Sequence, residues 1–74
     1  MDIKNYIEGN WHLLKGSLKA AFGKITDDEW SENEGNMEKL LGALQKSYSI
    51  DKDEAEKMVN EFMKGHVNSK NEYN

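Results

Sequence analysis

The chain contains one helical unit twice, and this internal repeat restricts its fold more than any other feature of the sequence. The segment Gly9–Leu18 (GNWHLLKGSL) matches Gly35–Leu44 (GNMEKLLGAL) at two glycines, one asparagine and two leucines. After a one-residue deletion, Ile25–Glu29 (ITDDE) matches Ile50–Glu54 (IDKDE) at isoleucine, aspartate and glutamate. Neither unit can bury its apolar side alone, so the two must pack together. The repeat predicts an all-α fold, a small compact bundle of about four helices built from two helix-turn-helix repeats.

The first helix of each unit is marked by apolar residues at helical spacing. One stripe predicts helix A over about 10–23, with Gly23 as its stop, and the other predicts helix C over about 36–48. Ile3, Tyr6 and Ile7 are expected to add a frayed turn or two before Gly9. The two stripes are Trp11, Leu14, Leu18, Ala21, Phe22 and Ile25 in helix A, and Met37, Leu40, Leu41, Leu44 and Tyr48 in helix C.

The second helix of each unit begins with a capping pattern. Thr26–Glu29 has the form of a capping box, and Ile25 and Trp30 are spaced as a hydrophobic staple, so a short helix B begins there. Whether helix B is separate from helix C depends on Gly35, because a glycine inside a helix costs ~1 kcal/mol relative to alanine. The sequence leaves both arrangements open.

Helix D begins at Asp51–Glu54, again a capping pattern, with Ile50 and Ala55 as its staple. Gly65 is the predicted end of this helix, because the residues after it are polar and lack a sustained apolar stripe. We therefore expect residues 1–65 to form a single domain and residues 66–74 to form a polar, mobile tail.

The composition limits the cellular compartment and the kinds of chemistry that the chain can be expected to have. The chain has no cysteine, which excludes disulfides, thiolate zinc sites and cysteine catalysis and fits a reducing compartment. It has no leader-like start at Met1 and no run apolar enough to span a bilayer. We expect a cytoplasmic protein that uses no cofactor and does not enter the membrane.

The acidity of the chain is local. Residues 1–25 carry a net charge of +2, residues 26–38 carry −6, and residues 39–74 are neutral. All ten basic residues are lysines, so the bidentate fork with which arginine recognises guanine and phosphate is missing. We expect no sequence-specific binding of nucleic acid.

Several short segments, taken in their order and spacing over residues 8–62, resemble the CsbD-like family of small bacterial proteins. They are Gly9-Asn10-Trp11, Lys15-Gly16, Gly23-Lys24-Ile25-Thr26-Asp27-Asp28, Glu34-Gly35-Asn36, Leu41-Gly42 and Lys52-Asp53-Glu54-Ala55-Glu56. The resemblance implies a small helical protein associated with general stress responses, and it supplies no agreed activity or catalytic residues. Two departures are Ser49, where the family often has glycine, and the longer polar tail after Phe62.

Other candidate sites have simpler explanations. The acidic block of Asp27, Asp28, Glu29, Glu32 and Glu34 could bind a divalent cation, but it is typical of helix capping and a solvated surface. His12 and His66 have no second histidine at i+3 or i+4, so we expect no metal site. No catalytic motif or phosphate loop appears, and a bundle of this size has little room for a substrate cleft, so we expect no enzyme activity.

A second apolar strip is the one feature that helix packing does not explain. Gly16 and Gly42 fall opposite the apolar stripes of their helices, where core packing gives no reason for a glycine. On helix A, Leu13, Gly16 and Ala20 form a smooth strip. We predict that it is an interaction surface for another helix, which comes from the N-terminal segment, a second copy of the chain, or an unknown protein partner.

Two other functions stay open. A hydrophilic, glycine-containing chain of this kind is also typical of a hydrophilin-like protectant that acts without a specific site. As a third reading, Lys15, Lys19 and Lys24 near Trp11 and Phe22 could bind single-stranded nucleic acid weakly, by charge and base stacking. Because Trp11 and Phe22 lie on the core stripe, we expect both rings to be buried instead.

Overall fold

A computed structural model describes the backbone of residues 3–71 and the side chains of residues 3–65. The described residues form helices joined by short turns, which confirms the all-α prediction. There are five helices rather than about four. They are α1 (Ile3–Gly9), α2 (Trp11–Ala21), α3 (Asp27–Asn33), α4 (Met37–Tyr48) and α5 (Lys52–Asn71).

The additional helix is α1, where the sequence predicts only a frayed turn or two. Ile7 is completely buried in the core. The Glu8 carboxylate accepts a hydrogen bond of 2.8 Å from the backbone N–H of Met37, at the start of α4. The Asn10 side chain donates back to the Tyr6 carbonyl at 2.8 Å and closes the end of α1. Tertiary contacts therefore stabilise a helix that is too short to persist alone.

Helices α3 and α4 are separate, which settles the question that Gly35 leaves open in the sequence. Gly35 has φ of +64°, a left-handed conformation that glycine adopts without strain and that ends α3. Asn36 then caps α4, because its side-chain oxygen accepts a hydrogen bond from the Lys39 backbone N–H.

The predicted caps of the two second helices are confirmed. At α3, the Thr26 hydroxyl accepts from the Glu29 N–H, and the Glu29 carboxylate accepts from the Thr26 N–H at 3.1 Å. At α5, the Asp51 carboxylate accepts from the Glu54 N–H at 2.8 Å. Both satisfy backbone donors that the first turn of a helix leaves unpaired.

The predicted end of the last helix at Gly65 is wrong, because α5 continues to Asn71. A single glycine is tolerated within a helix at a cost of ~1 kcal/mol, and no proline follows that would stop it. The predicted mobility of residues 66–74 stays a prediction, and residues 72–74 lie outside the described part of the chain.

One core joins all five helices. Trp11 of α2 packs on Trp30 of α3 with ring centroids 6.0 Å apart, and Phe22 packs on Phe62 of α5 at 5.9 Å. Helix α4 lies centrally, against α1, α3 and α5. The buried apolar residues are Ile7, Trp11, Leu14, Leu18, Phe22, Ile25, Trp30, Met37, Leu40, Leu41, Ala43, Leu44, Ala55, Val59 and Met63. Both predicted stripes therefore face this shared core, except that Ala21 is exposed and Tyr48 is only partly buried.

Candidate functional site

The strip of Leu13, Gly16 and Ala20, called the α2 strip below, lies on the open side of α2. Leu13 is 80% exposed and is the one large apolar side chain that stands out from the described surface. Gly16 and Ala20 are also exposed. A Cβ atom at Gly16 would meet nothing within 4 Å, so no neighbouring group requires a glycine there. The strip is smooth, apolar and uncovered by the described residues.

The rest of α2 fixes the direction in which this strip points. Trp11, Leu14 and Leu18 are buried on the opposite side of the helix. Two lysines at the flank reach toward acidic residues: Lys15 Nζ lies 3.9 Å from Glu34, and Lys19 Nζ lies 3.2 Å from Asp27. The core and these ion pairs hold one side of α2, and the strip faces away from both.

Within the described residues, the N-terminal segment does not cover the α2 strip. Helix α1 packs against α2 and α4, and it buries Ile7 in the core. This packing turns the apolar side of α1 toward the core, and Leu13 stays exposed. A second copy of the chain or another protein remains as the occupant that the sequence predicts.

A second surface lies on α4, and of its residues the sequence singled out only Gly42. In the repeat alignment, Lys39, Gly42 and Lys46 occupy the places of Leu13, Gly16 and Ala20, and we call them the α4 face. They border an open groove of about 450 Å³ between α3 and α4. The groove is lined by Glu29, Glu32, Asn33, Lys39, Gly42, Ala43 and Lys46.

Asn33 is the buried polar residue of this groove. It is only 5% exposed, and its side-chain Nδ2 has no hydrogen-bond partner among the described residues. The Trp11 Nε1 atom is the other buried side-chain donor of this kind. When the match of Gly9–Leu18 with Gly35–Leu44 is extended backward by two positions, Asn33 aligns with Ile7, which is completely buried. The repeat alignment is the sequence signal that could have drawn attention to Asn33.

The acidic block of α3 is engaged in capping and in ion pairs. Besides its part in the capping box, Glu29 lies 3.4 Å from Lys46 Nζ. The hydrogen bond from the Thr26 backbone N–H lowers the pKa of the Glu29 carboxyl, and Lys46 lowers it further. Asp27 and Glu34 face Lys19 and Lys15, as described above. These contacts support the capping and surface interpretation of the block.

The predicted burial of Trp11 and Phe22 is confirmed, since the two residues are 6% and 4% exposed. Neither ring offers a face on which a base could stack. Of the neighbouring lysines, Lys24 places its ammonium 5.2 Å from the centre of the Tyr48 ring. The geometry gives no support to a stacking surface for single-stranded nucleic acid.

His12 is exposed on α2, and the His66 side chain lies outside the described ones. Over the described part of the chain, no group of three or more histidine, aspartate or glutamate residues is arranged to hold a metal ion. No described helix combines the length and apolar character needed to cross a membrane.

Comparison with known proteins adds the family context. A family model described as CsbD-like matches residues 5–57. The chain is 45% identical over 56 residues to a UPF0337 protein of Bordetella pertussis, which covers 76% of this chain and 85% of that protein. It is 41% identical over 63 residues to the UPF0337 protein YjbJ of Escherichia coli, which covers 85% of this chain and 91% of YjbJ. No solved structure matches the chain.

Proposed function

The chain belongs to the CsbD-like family, and from this premise we propose that it is a non-enzymatic, cytoplasmic stress-response protein that binds another protein through the α2 strip. Family membership supports the general role in stress response and names no molecular activity. The observation that carries the interaction proposal is the 80% exposure of Leu13 beside an exposed glycine and alanine.

The spacing of the strip suits a helical partner. Leu13, Gly16 and Ala20 stand at positions i, i+3 and i+7, which form one ridge of an α-helix. The missing side chain at Gly16 and the small one at Ala20 let a partner backbone come close, while Leu13 supplies an anchor. Full burial of one leucine contributes about 1.5–3 kcal/mol, so Leu13 would dominate a contact of this size.

The test is capture of partners from a lysate of stressed bacterial cells by the wild type and by the Leu13→Asp variant. The α2 strip predicts that specific partners are retained by the wild type and lost by Leu13→Asp, because a carboxylate cannot be buried in an apolar contact without a large cost. Asn60→Asp is the matched control, since it adds the same charge at an exposed position of α5. It should capture the same partners as the wild type.

Self-association is tested in parallel by sedimentation of the pure protein. A dimer that dissociates in Leu13→Asp but not in Asn60→Asp would identify a second copy of the chain as the partner. If neither a lysate protein nor a second copy depends on Leu13, the proposed function is wrong.

The alternative is a hydrophilin-like protectant, which the mean hydropathy of −0.93 favours. A protectant should shield unrelated enzymes during drying or freezing better than an equal mass of an ordinary globular protein, and Leu13→Asp should protect equally well. Equal protection by this chain and by the globular control would exclude this alternative. The two functions differ in their dependence on one side chain.

A further inference from the structure

The α3–α4 groove has a different chemistry from the matching surface of the first unit, although both are built around an exposed glycine. The α4 face presents Lys39 and Lys46 where the α2 strip presents Leu13 and Ala20. A Cβ at Gly42 would meet nothing within 4 Å, as at Gly16. The glycine therefore leaves the floor of the groove open, between lysines two helical turns apart.

Asn33 is the observation that points to a ligand. Its buried Nδ2 has no acceptor among the described residues, and a buried donor without an acceptor costs stability. In the helix that precedes α2, the aligned position holds an apolar side chain, Ile7, which is completely buried. The fold alone therefore gives no reason for the amide, whereas an acceptor brought by a ligand would.

The charges of the groove define the class of that ligand. Glu29 and Lys46 pair with each other at 3.4 Å. Lys39 and Glu32 line the same groove and take part in none of the ion pairs among the described side chains. One cation and one anion thus remain for a bound molecule. A ligand that carries both charges satisfies them together.

We propose that the α3–α4 groove binds a small zwitterion that carries a carboxylate and a cationic nitrogen. The ligand carboxylate accepts hydrogen bonds from Lys39 Nζ and from Asn33 Nδ2, and the ligand cation faces Glu32. Asn33 is one of the residues that line the groove. Because the charged groups are exposed, the expected affinity is weak, in the millimolar range. This site is independent of the α2 strip.

The test is a titration of the ¹⁵N-labelled protein followed by NMR. Glycine, β-alanine and γ-aminobutyrate are the zwitterionic probes, in order of increasing charge separation, and acetate and methylammonium are the matched single ions. At least one zwitterion should shift the Asn33 side-chain and Gly42 amide signals saturably and bind about tenfold more tightly than either single ion. The proposal is overturned if no zwitterion saturates these signals, or if acetate binds as tightly.

Two variants keep the test independent of folding. Asn33→Ile installs the side chain found at the aligned Ile7, should raise the thermal midpoint, and should weaken binding about tenfold, since a hydrogen bond to a charged group is lost. Gly42→Leu fills the groove at a position with free space around it and should abolish binding. Gly16→Leu is the matched control and should bind as the wild type does. Equal binding by Asn33→Ile and the wild type would refute the assigned contact.

Discussion

The α2 strip and the α4 face occupy equivalent places in the two repeats, and the comparison separates what the fold needs from what it leaves free. The core positions agree, since Leu14 and Leu18 in α2 and their partners Leu40 and Leu44 in α4 are all buried. The surfaces disagree, because Leu13 and Ala20 are replaced by Lys39 and Lys46 around a shared glycine. Packing has kept one pattern in both units, while the exposed faces have acquired different chemistry.

The helices that precede these two faces differ in the same way. In α1, Ile7 is buried in the core, whereas the aligned Asn33 of α3 buries an Nδ2 donor that has no partner among the described residues. Ile7, Leu13 and Ala20 are thus apolar at places where Asn33, Lys39 and Lys46 are polar. For this reason we assign a protein contact to the α2 strip and a small zwitterion to the α3–α4 groove.

The largest loss of stability is expected from truncating buried leucines at equivalent positions of the two units. Leu18→Ala and Leu44→Ala each remove a completely buried side chain, and each should lower the free energy of unfolding by about 2–5 kcal/mol. Urea unfolding followed by circular dichroism measures both. Because one core joins the units, each variant should show one transition. If half of the helical signal of either variant were lost in a separate transition, the two units would unfold independently, which would contradict a shared core.

A smaller change in the free energy of unfolding is expected from substitutions just after α2 and α4. Ser49 adopts φ of 56° and ψ of 50°, a left-handed conformation that strains residues other than glycine. Ser49→Gly should raise the free energy of unfolding by about 1 kcal/mol. The aligned residue, Gly23, does not have a left-handed φ, and a Cβ there meets nothing within 4 Å.

Gly23→Ala is therefore the counterpart of Ser49→Gly. It should leave stability unchanged or raise it slightly, because alanine restricts the unfolded chain more than glycine does. Urea midpoints report both variants. Destabilisation by Ser49→Gly would show that the serine side chain contributes more than its backbone conformation costs.

The smallest change in stability is expected from the two helix caps, and it appears only at acidic pH. The native pKa of Glu29 lies below its ordinary value of 4.5 because the carboxylate accepts from the Thr26 N–H. A group with a lowered native pKa adds stability that is complete above pH 4.5 and is lost as the pH falls through the native value. Glu29→Gln should therefore show a shallower loss of thermal midpoint over this acid range than the wild type.

Glu54→Gln is the matched variant in the second unit, where Asp51 caps the helix and the Glu54 backbone N–H is the donor. The capping hydrogen bond there does not use the Glu54 carboxylate, so Glu54→Gln removes no contact of the cap and serves as the control. The same thermal melts across pH measure both. Identical profiles for Glu29→Gln and the wild type would contradict the role given to the Thr26–Glu29 box.

Features set by nearby residues could be predicted from the sequence. The caps at Thr26 and Asp51 depend on residues three positions apart, and the apolar stripes depend on helical periodicity, so both are visible in the chain itself. The exposed side of α2 follows from the same periodicity. These local rules were sufficient to place the α2 strip and the all-α class.

Features set by distant contacts could not be predicted in this way. The stability of α1 depends on the burial of Ile7 and on the Glu8 carboxylate at the start of α4, 29 residues away. The left-handed Ser49 and the continuation of α5 past Gly65 both go against residue preferences. The α3–α4 groove depends on how two helices pack, and only the alignment of Asn33 with Ile7 hints at it in the sequence.

The most direct test of this account is the thermal unfolding of Gly16→Ala and Gly42→Ala beside the wild type. We hold that both glycines keep exposed faces smooth or open and contribute nothing to the fold. Each alanine should then raise stability by about 0.5–1 kcal/mol, which corresponds to a midpoint higher by about 2–8 °C. A lower midpoint for either variant would show that its glycine supports the fold, and would contradict the functional role given to that face.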